Sequence, residues 1–179
     1  MSLRWRQREL GTRQQEEEPQ HDRISPLVAE FLPLNRRKVQ GNPPLSVLEL
    51  QRWGELSEHL AYELGNPAPV GGTERPLRVP THLKVRFGEG TGELGNVSEG
   101  GLFIESERPL AHGTPIQLEL EPAGGQPSIA LAATVVWSRE IATRDGPAGF
   151  GVRFEGLEAD EYELLMLLIE DELSHIAAD

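Results

Sequence analysis

The sequence predicts a mainly β protein: a six-stranded antiparallel barrel with a C-terminal helix, preceded by an N-terminal helical arm. Six short runs with alternating or β-branched apolar residues are separated by Gly, Pro and Asn turns. Short connections between so many short strands favour a small closed barrel. A wide apolar face near the C-terminus and a capped amphipathic stretch before the strand runs predict helices on both sides of them.

The strand runs and the last helix follow one another without a break. The strand runs are HLKVRF, GELGNV, GLFIES, PIQLELE, IALAATVVWSRE and GFGVRFEGL. In the terminal segment ADEYELLMLLIEDELSHI, the apolar face consists of Leu165, Leu168, Ile169, Leu173 and Ile176. Acidic residues crowd its first turn, where the helix dipole stabilises negative charge. We therefore expect this helix to lie over one end or side of the barrel.

The region before the barrel divides into a tail, an arm and a linker. Residues 1–23 carry few large apolar groups, so we expect a flexible tail. In segment 24–34 an apolar run is interrupted by Pro26 and Pro33, which predicts a short docking segment rather than a long helix. The predicted units are a tail at 1–23, a helical arm at 24–65, a Pro- and Gly-rich linker at 66–73, and the barrel with its C-terminal helix at 74–179.

One helix of the arm is predicted from its ends and its apolar stripe. Ser46 followed by Glu49 forms a capping box, and Gly65 stands where a left-handed C-cap belongs. The stripe between them consists of Trp53, Leu56, Leu60 and Leu64. Such a stripe needs a partner surface. Packing within the chain and an interface with a second copy or another protein both remain open.

Composition argues against several classes of function. The formal net charge is -12, and no long basic stripe offsets it, which argues against general binding to DNA, RNA or an anionic membrane. The chain has no cysteine and its five histidines lie far apart, so no metal site is expected and a reducing cytoplasm fits. The N-terminus lacks an apolar signal core, and we expect a cytoplasmic protein.

Enzymatic motifs are not evident. The sequence contains neither a nucleophile elbow nor a phosphate-binding glycine loop, and GEGTGELG follows no Rossmann or P-loop spacing. Acidic residues lie mostly on predicted helix surfaces and in the tail. We therefore expect neither catalysis nor a cofactor.

The stretch NVSEGG at 96–101 separates the second strand run from the third. Together with RVPTHLKVRF before it, and with LFIES, ATVVWSRE and GFGVRFEGL after it, this stretch resembles the PilZ domain family over roughly 74–174. The resemblance implies a six-stranded barrel that receives the bacterial second messenger cyclic di-GMP. It does not extend to residues 1–70.

The resemblance implies two ligand-binding motifs. The Asp/Asn-x-Ser-x-x-Gly element of the family is matched position by position by Asn96, Ser98 and Gly101. The Arg-x-x-x-Arg pair, which precedes the first strand, is incomplete, because Glu74 stands four residues before Arg78. The nearest arginine, Arg75, makes only Arg-x-x-Arg with Arg78.

The missing arginine bears directly on affinity. A guanidinium makes bidentate contacts with a phosphate or with the O6 and N7 edge of guanine. A hydrogen bond to a charged group contributes about 1.5 to 3 kcal/mol, so its loss weakens binding roughly tenfold to a hundredfold. A carboxylate in its place adds repulsion.

Two functions therefore remain open. In the first, the protein is a cyclic di-GMP receptor that relays the messenger to a protein partner in motility, attachment or polysaccharide control. Its ligand-binding residues would be Arg75, Arg78, Asn96, Ser98 and Gly101. In the second, a degenerate module has lost the nucleotide and acts as a protein-interaction scaffold. Asn, Ser and Gly are also what a hairpin turn requires, and Trp137 is expected to be a core or rim aromatic.

Overall fold

The computed structural model describes residues 20–66, 76–122, 127–144 and 146–179. These residues form α1 (Gln20–Gln40), α2 (Val47–Glu63), β1 (Val79–Pro80), β2 (Lys84–Phe87), β3 (Gly90–Ser98), β4 (Gly101–Glu105), β5 (Pro115–Glu121), β6 (Ile129–Arg139), β7 (Gly149–Phe154) and α3 (Ala159–Ile176). The predicted tail lies outside the described residues up to position 19, and the predicted linker lies outside them from position 67 onward. The division into an arm at 24–65 and a barrel unit at 74–179 stays a prediction.

Strands β2 to β7 close into an antiparallel barrel, which confirms the predicted fold class. Around the ring the order is β3, β2, β5, β6, β7, β4, and β4 pairs again with β3. Alternate side chains of each strand point inward because the strand period is two residues. The fully buried residues of the strands are Val79, Val85, Leu94, Val97, Ile104, Leu120, Leu131, Val135 and Phe150.

The short strand β1 was not predicted from the sequence. It pairs with β3, so that Val79 lies opposite Val97 and Pro80 lies opposite Asn96. A two-residue strand has no detectable period, and Pro80 has no amide hydrogen to donate to the ladder. Its pairing therefore depends on the neighbouring strand. The consequence is that the chain enters the barrel alongside the NVSEGG stretch.

The first helix is longer than the sequence predicted. The expectation of a short segment at 24–34 is wrong, because α1 continues unbroken through both prolines. Pro26 and Pro33 are seven residues apart, which places them on one side of the helix, and both are exposed. Carbonyls that lose their amide partners on this side can be hydrated instead. The opposite, buried side consists of Ile24, Val28, Phe31 and Asn35.

Helix α2 begins and ends as predicted. The Ser46 hydroxyl accepts a hydrogen bond from the Glu49 amide, and the Glu49 carboxylate accepts one from the Ser46 amide. Gly65 has a φ of 73°, the left-handed conformation expected after a helix. The predicted stripe is buried at Leu56 and Leu60 and partly buried at Trp53 and Leu64. This stripe packs on α1, so its partner surface lies within the chain.

Helix α1 lies between α2 and α3 and runs antiparallel to both. At its N-terminal end, Gln20 donates to the Glu63 carbonyl of α2 at 2.6 Å, and Ser25 donates to the Ala177 carbonyl just after α3 at 2.6 Å. Helix α3 in turn packs on β6 and β1. The C-terminal helix is therefore confirmed, and it lies between the barrel and the arm.

A buried polar group joins the three helices. Asn35 donates from its amide nitrogen to Glu170 at 3.3 Å, and its amide oxygen accepts a hydrogen bond from the Trp53 indole at 3.1 Å. Arg36 donates to the other oxygen of Glu170 at 2.6 Å. Asn35 and Glu170 are only 2% and 4% exposed. We call these four residues the helix joint.

Candidate functional site

The NVSEGG stretch forms the tight connection between β3 and β4. Ser98 and Gly101 lie directly opposite each other, and the Ser98 hydroxyl donates to the Gly101 carbonyl at 2.9 Å. The Gly100 carbonyl accepts a hydrogen bond from the Phe154 amide of β7 at 3.1 Å. Ser and Gly are therefore needed here for the turn itself.

Gly101 is required by the close approach of β7. A Cβ atom at this position would lie 2.0 Å from the carbonyl oxygen of Val152, a distance that no side chain can adopt. Any larger residue would push β4 and β7 apart. The glycine of the motif thus has a packing role that does not depend on a ligand.

Strand β1 brings Arg78 beside the motif. Pro80 lies opposite Asn96, and the same antiparallel register, continued to the residue before β1, places Arg78 opposite Ser98. Arg78 is half-buried, and Asn96 is also half-buried. The pairing explains how a residue of the entering segment comes next to residues of the turn.

Four of the five predicted site residues therefore meet at one end of the barrel: Arg78, Asn96, Ser98 and Gly101. Pro76 also lies over the turn, with its Cγ 4.0 Å from the position of a Cβ on Gly100. The fifth predicted residue, Arg75, lies outside the described residues, as does Glu74.

The motif side chains lie on the outer face of the barrel. Val97 is fully buried, so its neighbours Asn96 and Ser98 face the opposite side of β3, where Asn96 is half-buried and Ser98 is only 7% exposed. Cross-strand partners extend this outer face around the barrel. One row of partners consists of Pro80, Asn96, Phe103, Gly151 and Trp137.

Two aromatic rings form a shelf in this row. The rings of Phe103 and Trp137 are stacked, with centroids 5.1 Å apart and planes 10° from parallel. Gly151 makes room for them, because a Cβ there would lie 2.0 Å from the indole nitrogen of Trp137. The Arg139 guanidinium lies 5.6 Å from the centre of the indole. Trp137 is 36% exposed, so one ring of the shelf can meet a ligand.

Sequence reasoning did not find this shelf. Phe103 stands in the run Leu102, Phe103, Ile104, where three consecutive apolar residues conceal which side chain faces outward. All three are buried, and only the strand pairing separates the inner pair from the outer Phe103. Trp137, expected as a core or rim aromatic, lies on the outer face of the barrel and is 36% exposed.

Glu99, inside the motif, joins the turn to the helices. Its carboxylate lies 3.7 Å from the Lys38 ammonium of α1 and accepts a hydrogen bond from the Tyr162 hydroxyl of α3 at 3.5 Å. Burial, and then the neighbouring Glu99 carboxylate, raise the pKa of Tyr162 above its usual value of 10, so the phenol stays a proton donor. The turn is thus tied to two helices at once.

A groove of about 1090 Å³ lies at the end of β3 that is opposite the motif, where its lining includes Phe87, Thr91, Glu105 and Arg108. Across the ranges described above, no cluster of three or more His, Asp or Glu side chains is arranged to hold a metal ion. Within the same ranges, no helix has both the length and the apolar character needed to cross a bilayer.

Some solved structures are similar to this chain at low sequence identity. Among solved structures, the inhibitor of motility MotI/DgrA from Bacillus subtilis is similar at 17% identity and a TM-score of 0.46, over 54% of this chain and 50% of that one. The chain thus spans half the length of MotI/DgrA. A Xanthomonas campestris protein, described as a tetrameric PilZ domain assembled through a helical bundle, is 19% identical, with a TM-score of 0.40 over 89% of this chain and 80% of that one.

No match is found among curated proteins. The family model for the PilZ domain matches residues 73–171, which is more than half of the chain and contains the whole barrel. The protein belongs to the PilZ domain family.

Proposed function

We propose that this protein is a cytoplasmic cyclic di-GMP receptor that relays the messenger to a protein partner in motility, surface attachment or polysaccharide control. PilZ domains are regulatory binding modules, and we propose the same non-enzymatic role here. One observation carries the proposal. Val79 lies opposite Val97 and Pro80 lies opposite Asn96, which supports a site where Arg78, the residue before β1, comes near the motif residues Asn96 and Ser98.

The chemistry of these side chains suits a cyclic dinucleotide. Arg78 can offer a bidentate contact to a phosphate or to a guanine edge. Ser98 donates its proton to Gly101, which leaves its oxygen lone pairs to accept hydrogen bonds from a guanine. Asn96 adds both a donor and an acceptor, and the exposed face of Trp137 offers a surface on which a base can stack.

Contacts of Glu99 support a relay into the helices. An anionic ligand on the motif repels the Glu99 carboxylate and attracts the Lys38 ammonium that now lies beside it. Lys38 also lies 4.3 Å over the ring of Trp53, so a movement of Lys38 changes a contact between α1 and α2. Exposed apolar residues of α2, Val47, Leu48 and Tyr62, then provide a surface for a protein partner.

A second function is favoured by two features of the same site. The sequence has Glu74 where the family has its first arginine. Ser98 and Gly101 are also explained by the turn and by the approach of β7. On this alternative, the module binds no nucleotide and serves as a protein-interaction scaffold.

Isothermal titration with cyclic di-GMP separates the two functions. Glu74→Arg removes a carboxylate and adds a bidentate donor, so we expect it to tighten binding by at least about tenfold. In that background Arg78→Ala and Ser98→Ala should each weaken binding. Arg86→Ala, on the exposed side of β2, is the control and should change nothing. Absence of heat even in Glu74→Arg would leave the scaffold function.

A further inference from the structure

We infer that Arg153 of β7 is a further ligand-binding residue, which contacts a phosphate of the cyclic dinucleotide from the side opposite Arg78. This inference rests on the proposed function. Arg153 belongs to neither motif and stands far from both in the sequence, within GFGVRFEGL.

Strand pairing places Arg153 beside the motif. Gly101 lies directly opposite Ser98 in the β3–β4 ladder, and Arg153 lies directly opposite Gly101 in the β4–β7 ladder. Neighbouring strands are about 4.8 Å apart, so Arg153 stands roughly 10 Å from Ser98, measured between backbones. Arg78 stands about 5 Å away on the other side of Ser98, in the extended β1 register.

All of these side chains leave the barrel on the same side. Val152 and Phe154 are buried in the interior, and Arg153 between them is exposed on the outer face. Residues directly opposite each other in a ladder share a face, so Arg153 points to the same side as Ser98. Gly101 between them has no side chain, and the Val152 carbonyl oxygen of β7 lies only 2.0 Å from the place where its Cβ would be, so backbone alone separates the hydroxyl from the guanidinium.

The guanidinium is available for an anion. Its ion pair with Glu155, at 3.1 Å, is between side chains that are 65% and 46% exposed. Pairs this exposed hold their partners weakly because water competes for both charges. A phosphate bound over the backbone at Gly101 can therefore draw the guanidinium away from Glu155.

Arg153 would replace the arginine that is missing at position 74. Cyclic di-GMP carries two phosphates, and the family motif supplies two arginines on the entering segment. This chain has Glu74 in place of one of them, and Arg153 provides a second guanidinium on the far side of Ser98. The ligand would then lie across β3 and β4 between Arg78 and Arg153.

The test is isothermal titration of the full chain with cyclic di-GMP at low and at physiological salt. Arg153→Gln should weaken binding roughly tenfold, and Arg153→Lys should weaken it less because the charge remains. The matched control is Arg86→Gln, an exposed arginine also paired with glutamate, which should stay within about twofold of the unmodified protein. The difference in affinity between Arg153→Gln and the unmodified protein should be smaller at physiological salt than at low salt, as expected for a contact with a phosphate.

The outcomes distinguish this inference from the proposed function. Binding that is weakened by Arg78→Ala but equal in Arg153→Gln and in the unmodified protein would overturn the role of Arg153 alone. An equal loss in Arg86→Gln would also overturn it, because the effect would then be one of overall charge. If neither the unmodified chain nor Glu74→Arg gives heat on titration with cyclic di-GMP, both proposals are overturned. Urea midpoints for Arg153→Gln and Arg86→Gln should match the unmodified protein, since both side chains are exposed.

Discussion

The helix joint and the motif surface both place asparagine beside charged residues, yet they use it differently. Asn35 is 2% exposed, and its amide is engaged on both sides by Glu170 and Trp53. Asn96 is half-buried on the outer face of the barrel, in a row with the aromatic shelf. The comparison teaches that the first asparagine specifies how helices pack, while the second is placed where a ligand can reach it.

The largest expected effect comes from a substitution in the packed helices, where the helix joint lies. Leu60 is fully buried between α2 and α1, so Leu60→Asp loses a packed side chain and places a charge in the interior. We expect a loss of at least about 4 kcal/mol in the free energy of unfolding. Urea unfolding followed by circular dichroism measures it. Tyr62→Asp, at a position 68% exposed, is the control and should change the free energy by less than about 0.5 kcal/mol.

An unchanged urea midpoint in Leu60→Asp would mean that α2 does not pack on α1 in solution. The stripe would then be available to a second copy of the chain or to another protein. Sedimentation of the unmodified protein and of Leu60→Asp would show whether the substitution changes the oligomeric state.

The second prediction compares substitutions at the two asparagines. Asn35→Leu leaves the Trp53 indole and one oxygen of Glu170 without their partner, and each orphaned group costs about 1 to 3 kcal/mol. We expect a loss of about 3 kcal/mol in the free energy of unfolding with little change in cyclic di-GMP affinity.

Asn96→Ala should show the reverse, with a nearly unchanged urea midpoint and an affinity lower by about tenfold. If Asn96→Ala proves as destabilising as Asn35→Leu, the motif asparagine is structural and the comparison fails.

The smallest expected effect is a pH dependence at the start of α2. A hydrogen bond from Arg37, then bonds from the Ser46 amide and hydroxyl, lower the pKa of Glu49 from 4.5 to about 2. Because the folded pKa is the lower one, the Glu49 carboxylate stabilises the fold above pH 4.5, and this contribution is lost as the pH falls toward 2.

Glu49→Gln lacks this titration. Its urea midpoint should therefore lie below that of the unmodified protein at pH 7, and the two should converge as the solution is acidified. A difference that stays constant with pH would show that Glu49→Gln acts through the changed hydrogen bonds of the end group rather than through the lost charge.

The sequence by itself determined the parts of this protein whose signals lie within a few residues of one another. The capping box of α2, its stripe, the apolar face of α3 and the six strand runs are all local patterns, and each forms the element it predicts. The Asn-Ser-Gly motif is local in the same sense, because its turn joins two consecutive strands.

Only the tertiary structure decided which distant residues share a face. Helix α1 continues through Pro26 and Pro33 because packing on α2 and α3 holds the side opposite the prolines. Arg153 comes beside Gly101 because the barrel closes through β7 and β4. The physical reason is that the sequence of one strand shows only which of its side chains share a face. Which side chains of different strands meet depends on the register between the strands, and closure of the whole barrel sets that register.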